Sequence, residues 1–298
     1  MTSEPSELPE TPAFRAGLVA LVGRTNAGKS TLSNRLVGQK VSIVTPKPQT
    51  TRHPVHGVVN LPGAQVVFVD TPGFFQTHRS RLVDTLHERA REALSDVDVV
   101  VHLADATRPP GPEDEMVMEA LEGVGRPRVL ALGKCDVPRP FRDAWRPHGG
   151  LYQRVLDVSG ATGEGTEELV RLLAAMLPVS EPLYPVEEVT NATRDFRIAE
   201  AIREQVYQQA GDEVPYRTMV VVDRVEVMPA TATSPERLGI DATILASQDR
   251  YQRMLIGRGG ARVKQLREFS RRELQRVLGR KVALSLDIRV DGKLEERS

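Results

Sequence analysis

Between residues 17 and 177, short apolar runs alternate with amphipathic stretches. Residues 18–22, 66–69, 97–103, 129–132 and 155–158 are strand-sized and largely apolar at successive positions, the pattern of strands buried on both faces. Between them, Leu82, Val83, Leu86, Ala90, Ala93 and Leu94 recur at helical spacing, and residues 166–177 read as a second amphipathic helix. Strands alternating with helices predict an α/β unit with a doubly wound, mostly parallel sheet. Three prolines within residues 178–185 then mark a linker. Beyond it the order changes to a helix (193–210), two strands (217–227, 239–246), two helices (250–256, 261–278) and a last strand (281–290). This is a small α+β unit of order α-β-β-α-α-β, and the two halves show no internal repeat. The expected organisation is a disordered tail (1–15), the α/β unit (16–180), a linker (181–188) and the α+β unit (189–298).

A chain of 298 residues is long enough for two such cores. No apolar run approaches the roughly 18 residues of a membrane span. The acidic, Pro-rich N-terminus lacks the order of a signal peptide. A lone cysteine, Cys135, excludes an internal disulfide framework and suits a reducing cytoplasm. The six histidines are scattered without Cys or carboxylate partners, which argues against a structural metal. Net charge is zero but unevenly spread: residues 250–281 hold eleven Lys or Arg against Glu268 and Glu273. A basic block in a balanced chain points to a polyanionic partner, the alternative being a solvated helix face.

The sharpest chemical signal is Gly23-Arg24-Thr25-Asn26-Ala27-Gly28-Lys29-Ser30, followed by Thr31. It fits G-x-x-x-x-G-K-[ST], follows a predicted strand and opens a helix, the context a P-loop requires. Glycines let the backbone wrap phosphates, and the amides and helix N-terminus favour negative charge. Lys29 supplies a point charge for the outer phosphates, and the Ser30 hydroxyl is a ligand for Mg²⁺. Asp70-Thr71-Pro72-Gly73 ends the strand at 66–69. A carboxylate there suits the Mg²⁺ shell opposite Ser30, and the Gly73 amide suits a terminal phosphate. Gly133-Lys134-Cys135-Asp136 follows the next strand but one. Asp136 is suited to accept hydrogen bonds from guanine, and the Lys134 stem to pack over the base. Ser159-Gly160-Ala161 offers backbone amides after the last strand of the unit. Each is a weak signal alone, but all stand in order at carboxyl ends of strands.

These residues resemble the ordered motifs of the translation-factor-related GTPases. Gln49-Thr50-Thr51-Arg52 resembles their first switch, which implies that Thr51 closes onto Mg²⁺ in the triphosphate state. Ile256-Gly257-Arg258-Gly259-Gly260 resembles the G-x-x-G loop of a KH domain. Such a loop clamps about four nucleotides, and Arg258, Arg262 and Lys264 would add phosphate contacts. One G domain followed by a terminal type II KH domain is similar to the Era family of bacterial ribosome-assembly GTPases, over residues 16–292. The resemblance implies a cytoplasmic, Mg²⁺-dependent GTPase. Its catalytic residues would be Lys29, Thr51 and Gly73. Its implied partner is the 3′ end of 16S ribosomal RNA in the small subunit, with a role in 30S assembly and no DNA partner. The sequence leaves peripheral contact with the cell membrane open.

One departure qualifies the resemblance, and three further residues bear on the chemistry. Gly133 stands where family members carry Asn, a residue that tethers the P-loop and touches the base edge. The expected result is weaker nucleotide affinity, with guanine selectivity resting mainly on Asp136. Phe74 follows the Asp-Thr-Pro-Gly run, where Ras-like enzymes place a water-orienting Gln, so intrinsic turnover should be slow. Asn26 resembles the residue that holds K⁺ in related GTPases. Cys135 reads as a small filler between two base contacts. Two other readings stay open: a GTPase whose C-terminal unit docks on protein, and a nucleotide-binding scaffold with weakened guanine selectivity.

Overall fold

The computed structural model describes residues 13–45, 47, 55–71, 94, 96–211, 213–231 and 235–294. In its first unit, β1 (Arg15–Val22), β2 (Val55–Leu61), β3 (Ala64–Asp70), β4 (Val99–Asp105), β5 (Arg128–Gly133) and β6 (Arg154–Asp157) form one sheet. The order is β2-β3-β1-β4-β5-β6, with only the β2–β3 pair antiparallel. Strands β3 and β4 are buried at every position, as their mainly apolar sequences require, with Gln65 and His102 the polar residues inside them. Along β1, Val19 and Leu21 face one core with Leu32, Leu169 and Leu173. Ala20 and Val22 face the other, with Val117, Leu121 and Trp145. Period-two alternation thus builds two cores on one sheet. The covering helices are α1 (Lys29–Val37), α2 (Pro112–Glu122) and α3 (Thr166–Met176).

The structure adds elements that periodicity does not predict. Gly57 and Asn60 interrupt the apolar run of β2, which is read only through its antiparallel pairing with β3. Strand β4 begins at Val99 rather than at 97, because Asp98 stands aside from the ladder. Its amide donates to Leu18 O, and its carboxylate accepts from the Leu18 amide at 2.9 Å. The expected helix around Leu82 to Ala93 lies outside the described residues.

The second unit comprises α4 (Arg194–Gln209), β7 (Thr218–Met228), β8 (Arg237–Ala246), α5 (Asp249–Ile256), α6 (Ala261–Leu278) and β9 (Val282–Val290). Its sheet has the order β7-β8-β9, antiparallel then parallel. Ile198, Ile202 and Val206 of α4 meet Leu266 and Leu274 of α6 over Ile240 and Ile244 of β8. Thr193 caps α4 by accepting from the Phe196 amide at 3.2 Å.

The segment between the units packs on the edge of the first sheet. Gln65 accepts from the amides of Leu183 and Tyr184 at 2.8 and 2.9 Å and donates to Tyr184 O. Val58 donates to Val189 O, and His56 Nδ1 meets the Tyr184 hydroxyl at 2.7 Å. A second bridge runs from Lys40, beyond the end of α1. Its ammonium contacts Glu204 of α4 and lies 2.5 Å from Glu273 of α6. Lys47 donates to Ala210 O at 2.7 Å. Among the described residues, no helix is long and apolar enough to cross a membrane.

Candidate nucleotide site and KH loop

The site lies along the carboxyl ends of the parallel strands. β1 runs into residues 23–28, β3 ends on Asp70, β5 on Gly133, and residues 159–161 follow β6. A crevice beyond those ends, where the chain leaves β1 between β3 and β4, is where open α/β sheets bind ligands. A Cβ at Gly23 would lie 2.4 Å from Leu103 O, so this turn admits only glycine. Lys29 reaches back to donate to Gly23 O and Arg24 O, both at 2.9 Å. Burial lowers its pKa to about 8, against the pull of Asp70 and Glu113.

Ser30 donates to Asp70 Oδ2 at 2.9 Å. Asp70 is fully buried, and its Oδ1 has no hydrogen-bond partner among the described residues. Burial raises its pKa, while the nearby Ser42 hydroxyl, the Lys29 charge and the Ser30 hydroxyl oppose the rise. A hydroxyl and an orphaned carboxylate oxygen beside a lysine make a donor set that suits Mg²⁺ bound with phosphate. Thr71 donates to Leu21 O at 2.7 Å and so fixes the chain leaving Asp70. Thr51, with Gln49, Thr50 and Arg52, lies outside the described residues, as do Pro72, Gly73 and Phe74.

Beside the phosphate loop a cavity of about 230 Å³ opens. Leu32, Leu103 and Val158 give it apolar walls, Ala27, Gly28 and Thr31 one edge, and Lys134, Asp136, Gly160 and Ala161 the other. Ser159 donates to Asp136 Oδ1 at 2.5 Å and accepts from the amides of Ala161 and Thr162 at 3.1 Å. One hydroxyl thus fixes both the aspartate and the amide-bearing turn. The Arg35 guanidinium ties that turn to α1 through Gly160 O and Ala161 O. A flat heterocycle with adjacent N–H donors matches such a slot. Cys135 is half-buried, and burial together with Glu164 raises its thiol pKa, so it is not an activated nucleophile.

Sequence reasoning missed Asp105, Asp114 and Lys40. Asp105 closes β4 with its carboxylate 2.8 Å from Lys134 Nζ and 3.3 Å from Arg24 Nη2. Asp114 takes the other arm of Arg24 at 3.3 Å. Asp105 closes a largely apolar run, but only the strand order brings it beside the phosphate loop, and periodicity does not show that order.

In the second unit, Gly257, Gly259 and Gly260 have φ of 70°, 60° and 75°. That left-handed run turns α5 into α6 and leaves Arg258 and Gly259 exposed, with Ile256 half-buried at its base. Arg262 donates to Met254 O at 3.2 Å, and no ion pair holds Arg258, Arg262 or Lys264 among the described residues. The arginines further along α6 differ: Arg271 and Arg272 pair with Glu268, and Arg276 with Glu273. Of the block's cations without an ion pair among the described residues, Arg258, Arg262, Lys264 and Arg267 lie toward the G-x-x-G end of the helix, while Arg280 and Lys281 lie beyond its other end.

Comparison with known proteins agrees with this geometry. Residues 18–134 match the model of the 50S ribosome-binding GTPase family, and residues 213–293 match the KH domain model. The chain is 37% identical to GTPase Era of Geobacter sp. strain M21, over 96% of this chain and 95% of that protein. It is 38% identical to GTPase Era of Lactobacillus delbrueckii subsp. bulgaricus, over 94% and 92%. A crystal structure of an Aquifex aeolicus Era variant bound to GDP.AlF4⁻ superposes with a TM-score of 0.86 at 32% identity, covering 95% of this chain and 96% of that one. A second, of Era with MgGDPNP and nucleotides 1506–1542 of 16S ribosomal RNA, gives 0.85 at 32% identity over the same shares. With its P-loop G domain and terminal KH domain in one chain, this protein belongs to the Era family of GTPases.

Proposed function

We propose that the protein is a GTP-driven switch that binds 16S ribosomal RNA through its KH loop and assists maturation of the small ribosomal subunit. The observation that carries this reading is the joint presence of a P-loop site, a left-handed G-x-x-G loop with free cations, and Lys40 spanning the two units.

In this reading residues 23–31 bind the phosphates, with the Lys29 ammonium exchanging the carbonyls of Gly23 and Arg24 for phosphate oxygens. Asp136 accepts from the guanine edge, the Lys134 stem covers the base, and the amides of residues 160–161 face its carbonyl. Ser30 and Asp70 hold Mg²⁺, which when bound neutralises charge on the β- and γ-phosphates. Water attacks the γ-phosphorus, the bond to the bridging oxygen breaks, and GDP leaves without a covalent enzyme intermediate. Lys29 and the loop amides stabilise the charge that moves onto the bridging oxygen. Thr51 and Gly73 complete the switch side. Phe74 carries no group to orient water, which makes intrinsic turnover slow. The proposal includes K⁺ at Asn26, whose carboxamide oxygen is a suitable ligand and whose backbone is left-handed at φ 58°. The working compartment is the cytoplasm.

Coupling runs through the segment that leaves α1. Lys40 and Lys47 flank the approach to Thr51, and both contact the second unit. Closing of that segment onto a triphosphate would pull on α4 and α6, and so alter how Gly257 to Gly260 meet RNA.

The deciding experiment is binding of the 3′-terminal 16S RNA segment to the full chain loaded with GDP or a non-hydrolysable GTP analogue. Tighter binding in one nucleotide state is the expected result. Equal affinity in both states overturns the coupling, and absence of salt-dependent RNA binding would instead favour a protein-docking role for the second unit.

A further inference from the structure

Asp105 ends β4, and its carboxylate is the meeting point of two loops. Its Oδ1 accepts from the Thr107 hydroxyl at 2.6 Å and the Thr107 amide at 3.1 Å, so its own turn fixes one oxygen. Its Oδ2 is shared by Lys134 Nζ at 2.8 Å and Arg24 Nη2 at 3.3 Å, with Nε of the exposed Arg108 further off at 3.9 Å. Of the two nearer cations, one comes from the base side of the cavity and the other from the phosphate loop. Asp105 is 1% exposed and Arg24 8%, so this arm is little screened by solvent, whereas the Lys134 side chain is 37% exposed. Burial alone would raise the Asp105 pKa, but the Lys134 and Thr107 hydrogen bonds outweigh it and hold the carboxyl below its usual range. The second arm of Arg24 is held by Asp114, which also accepts from the Gly111 amide at 3.0 Å.

Gly133 adds no side chain to this junction. A Cβ there would lie 3.2 Å from Ala104 O and from Leu103 Cδ1, with Ala27 O of the phosphate loop at 3.7 Å. Position 133 thus abuts the phosphate loop yet offers it no polar group. Lys134 is itself held at φ 58°, a backbone region unfavourable for a residue with a Cβ, so something outside its backbone must hold it there.

We infer that Asp105 is a positioning residue for guanine nucleotides: by holding Arg24 and Lys134 on one oxygen, it sets the base loop at residues 133–136 against the phosphate loop. This rests on the assignment of Lys134 and Asp136 to the base. Buried ionic groups serve registry of this kind at least as well as they serve stability. The separation between the two ends of the nucleotide is then specified by an ion network outside the contiguous motifs.

The test is equilibrium binding to the full chain of two probes, GDP and inorganic tripolyphosphate. Tripolyphosphate engages only the phosphate loop. Asp105→Asn keeps the side-chain shape and removes its charge. GDP affinity should fall roughly tenfold or more, about 1.4 kcal/mol, with a much smaller change for tripolyphosphate. Thr107→Val leaves every charge in place and loosens only the carboxylate, so it should give a smaller loss in the same direction and covers the case in which Asp105→Asn folds poorly. Combining Asp105→Asn with Lys134→Gln should cost less than the sum of the single losses, since one acts through the other. The inference is overturned by unchanged GDP affinity in both Asp105→Asn and Thr107→Val, by equal loss for the two probes, or by additive losses. Asp136→Asn separates the underlying assignment: if it fails to move preference toward xanthosine diphosphate, the base reading fails whatever Asp105 does.

Discussion

Ser30 Oγ donates to Asp70 Oδ2 at 2.9 Å, joining the first turn of α1 to the last residue of β3. The pair leaves Asp70 Oδ1 buried and without a partner among the described residues, an arrangement that costs stability in the free protein. Asp70→Asn should therefore leave the nucleotide-free chain as stable as the parent or more so. It should also lower the rate of Mg²⁺-dependent GTP hydrolysis by roughly 100-fold or more, as loss of a positioned charge-stabilising group does. Thermal unfolding without nucleotide and single-turnover hydrolysis across a Mg²⁺ titration check the two halves. A large drop in stability with unchanged hydrolysis would contradict both.

The Lys29 ammonium gives nucleotide binding a pH dependence on the alkaline side. In the free protein its pKa is lowered to about 8, first by burial. A bound polyphosphate replaces neutral carbonyls with anionic oxygens and raises that pKa. Only the protonated form is the good phosphate partner. Affinity for GDP should therefore be level below pH 8 and fall above it, approaching tenfold per pH unit for one linked proton. Calorimetry in buffers of different ionisation enthalpy should detect proton uptake on binding at about half a pH unit above the free value. Lys29→Met should abolish the uptake as well as most of the affinity.

The phosphate site was legible because its chemistry is contiguous: residues 23–30 carry loop, charge and hydroxyl in one run between a strand and a helix. The same holds for the G-x-x-G loop, whose placement between two helices gave it meaning. Asp105 was not legible, since its role comes from β4 lying beside β1 and β5, a fact of topology. The Lys40 bridge is further from view. Its partners stand 164 and 233 residues away in sequence, and no periodicity links them. Basic residues at 271, 272 and 276 counted toward a polyanion site in the sequence, yet acids three or four residues earlier on the same helix face pair with them.

His102 predicts how the first unit responds to acid. It stands fully buried in the centre of β4, with Nδ1 2.6 Å from the Tyr152 hydroxyl and Nε2 without a partner among the described residues. Burial, with Lys29 and His148, lowers its pKa from 6.5 to about 3. Between these values the unfolded chain binds a proton that the folded chain refuses. The contribution of His102 is therefore intact above pH 6.5 and is lost as pH falls toward 3, at about 1.4 kcal/mol per pH unit. Asp70 and Asp114, whose pKa values are raised, act in the opposite direction at the acid end. The difference between parent and His102→Phe isolates the histidine. Urea unfolding from pH 7 to 4 should show a shallower acid loss in the variant, and parallel curves would contradict the buried neutral imidazole.

The KH loop gives a prediction that separates phosphate contacts from fold. Arg258 and Lys264 are exposed and free of ion pairs among the described residues, whereas Arg271 and Arg272 share the single carboxylate of Glu268. Each free cation that meets a phosphate of single-stranded RNA contributes roughly 0.7 to the slope of log affinity against log salt. Replacing both Arg258 and Lys264 with Ala should flatten that slope by roughly 1.4 and weaken binding most at low salt. Replacing Arg271 and Arg272 instead should change the slope less, because Glu268 holds both guanidinium groups and offsets one of their two charges. The two pairs differ by position and pairing but not by net charge, so a general loss of electrostatic attraction predicts the same slope for both variants. Fluorescence anisotropy with the 3′-terminal 16S RNA segment over a KCl series distinguishes these outcomes. Equal slopes would mean that RNA senses the domain's total charge and not the cations placed beside Gly257 to Gly260.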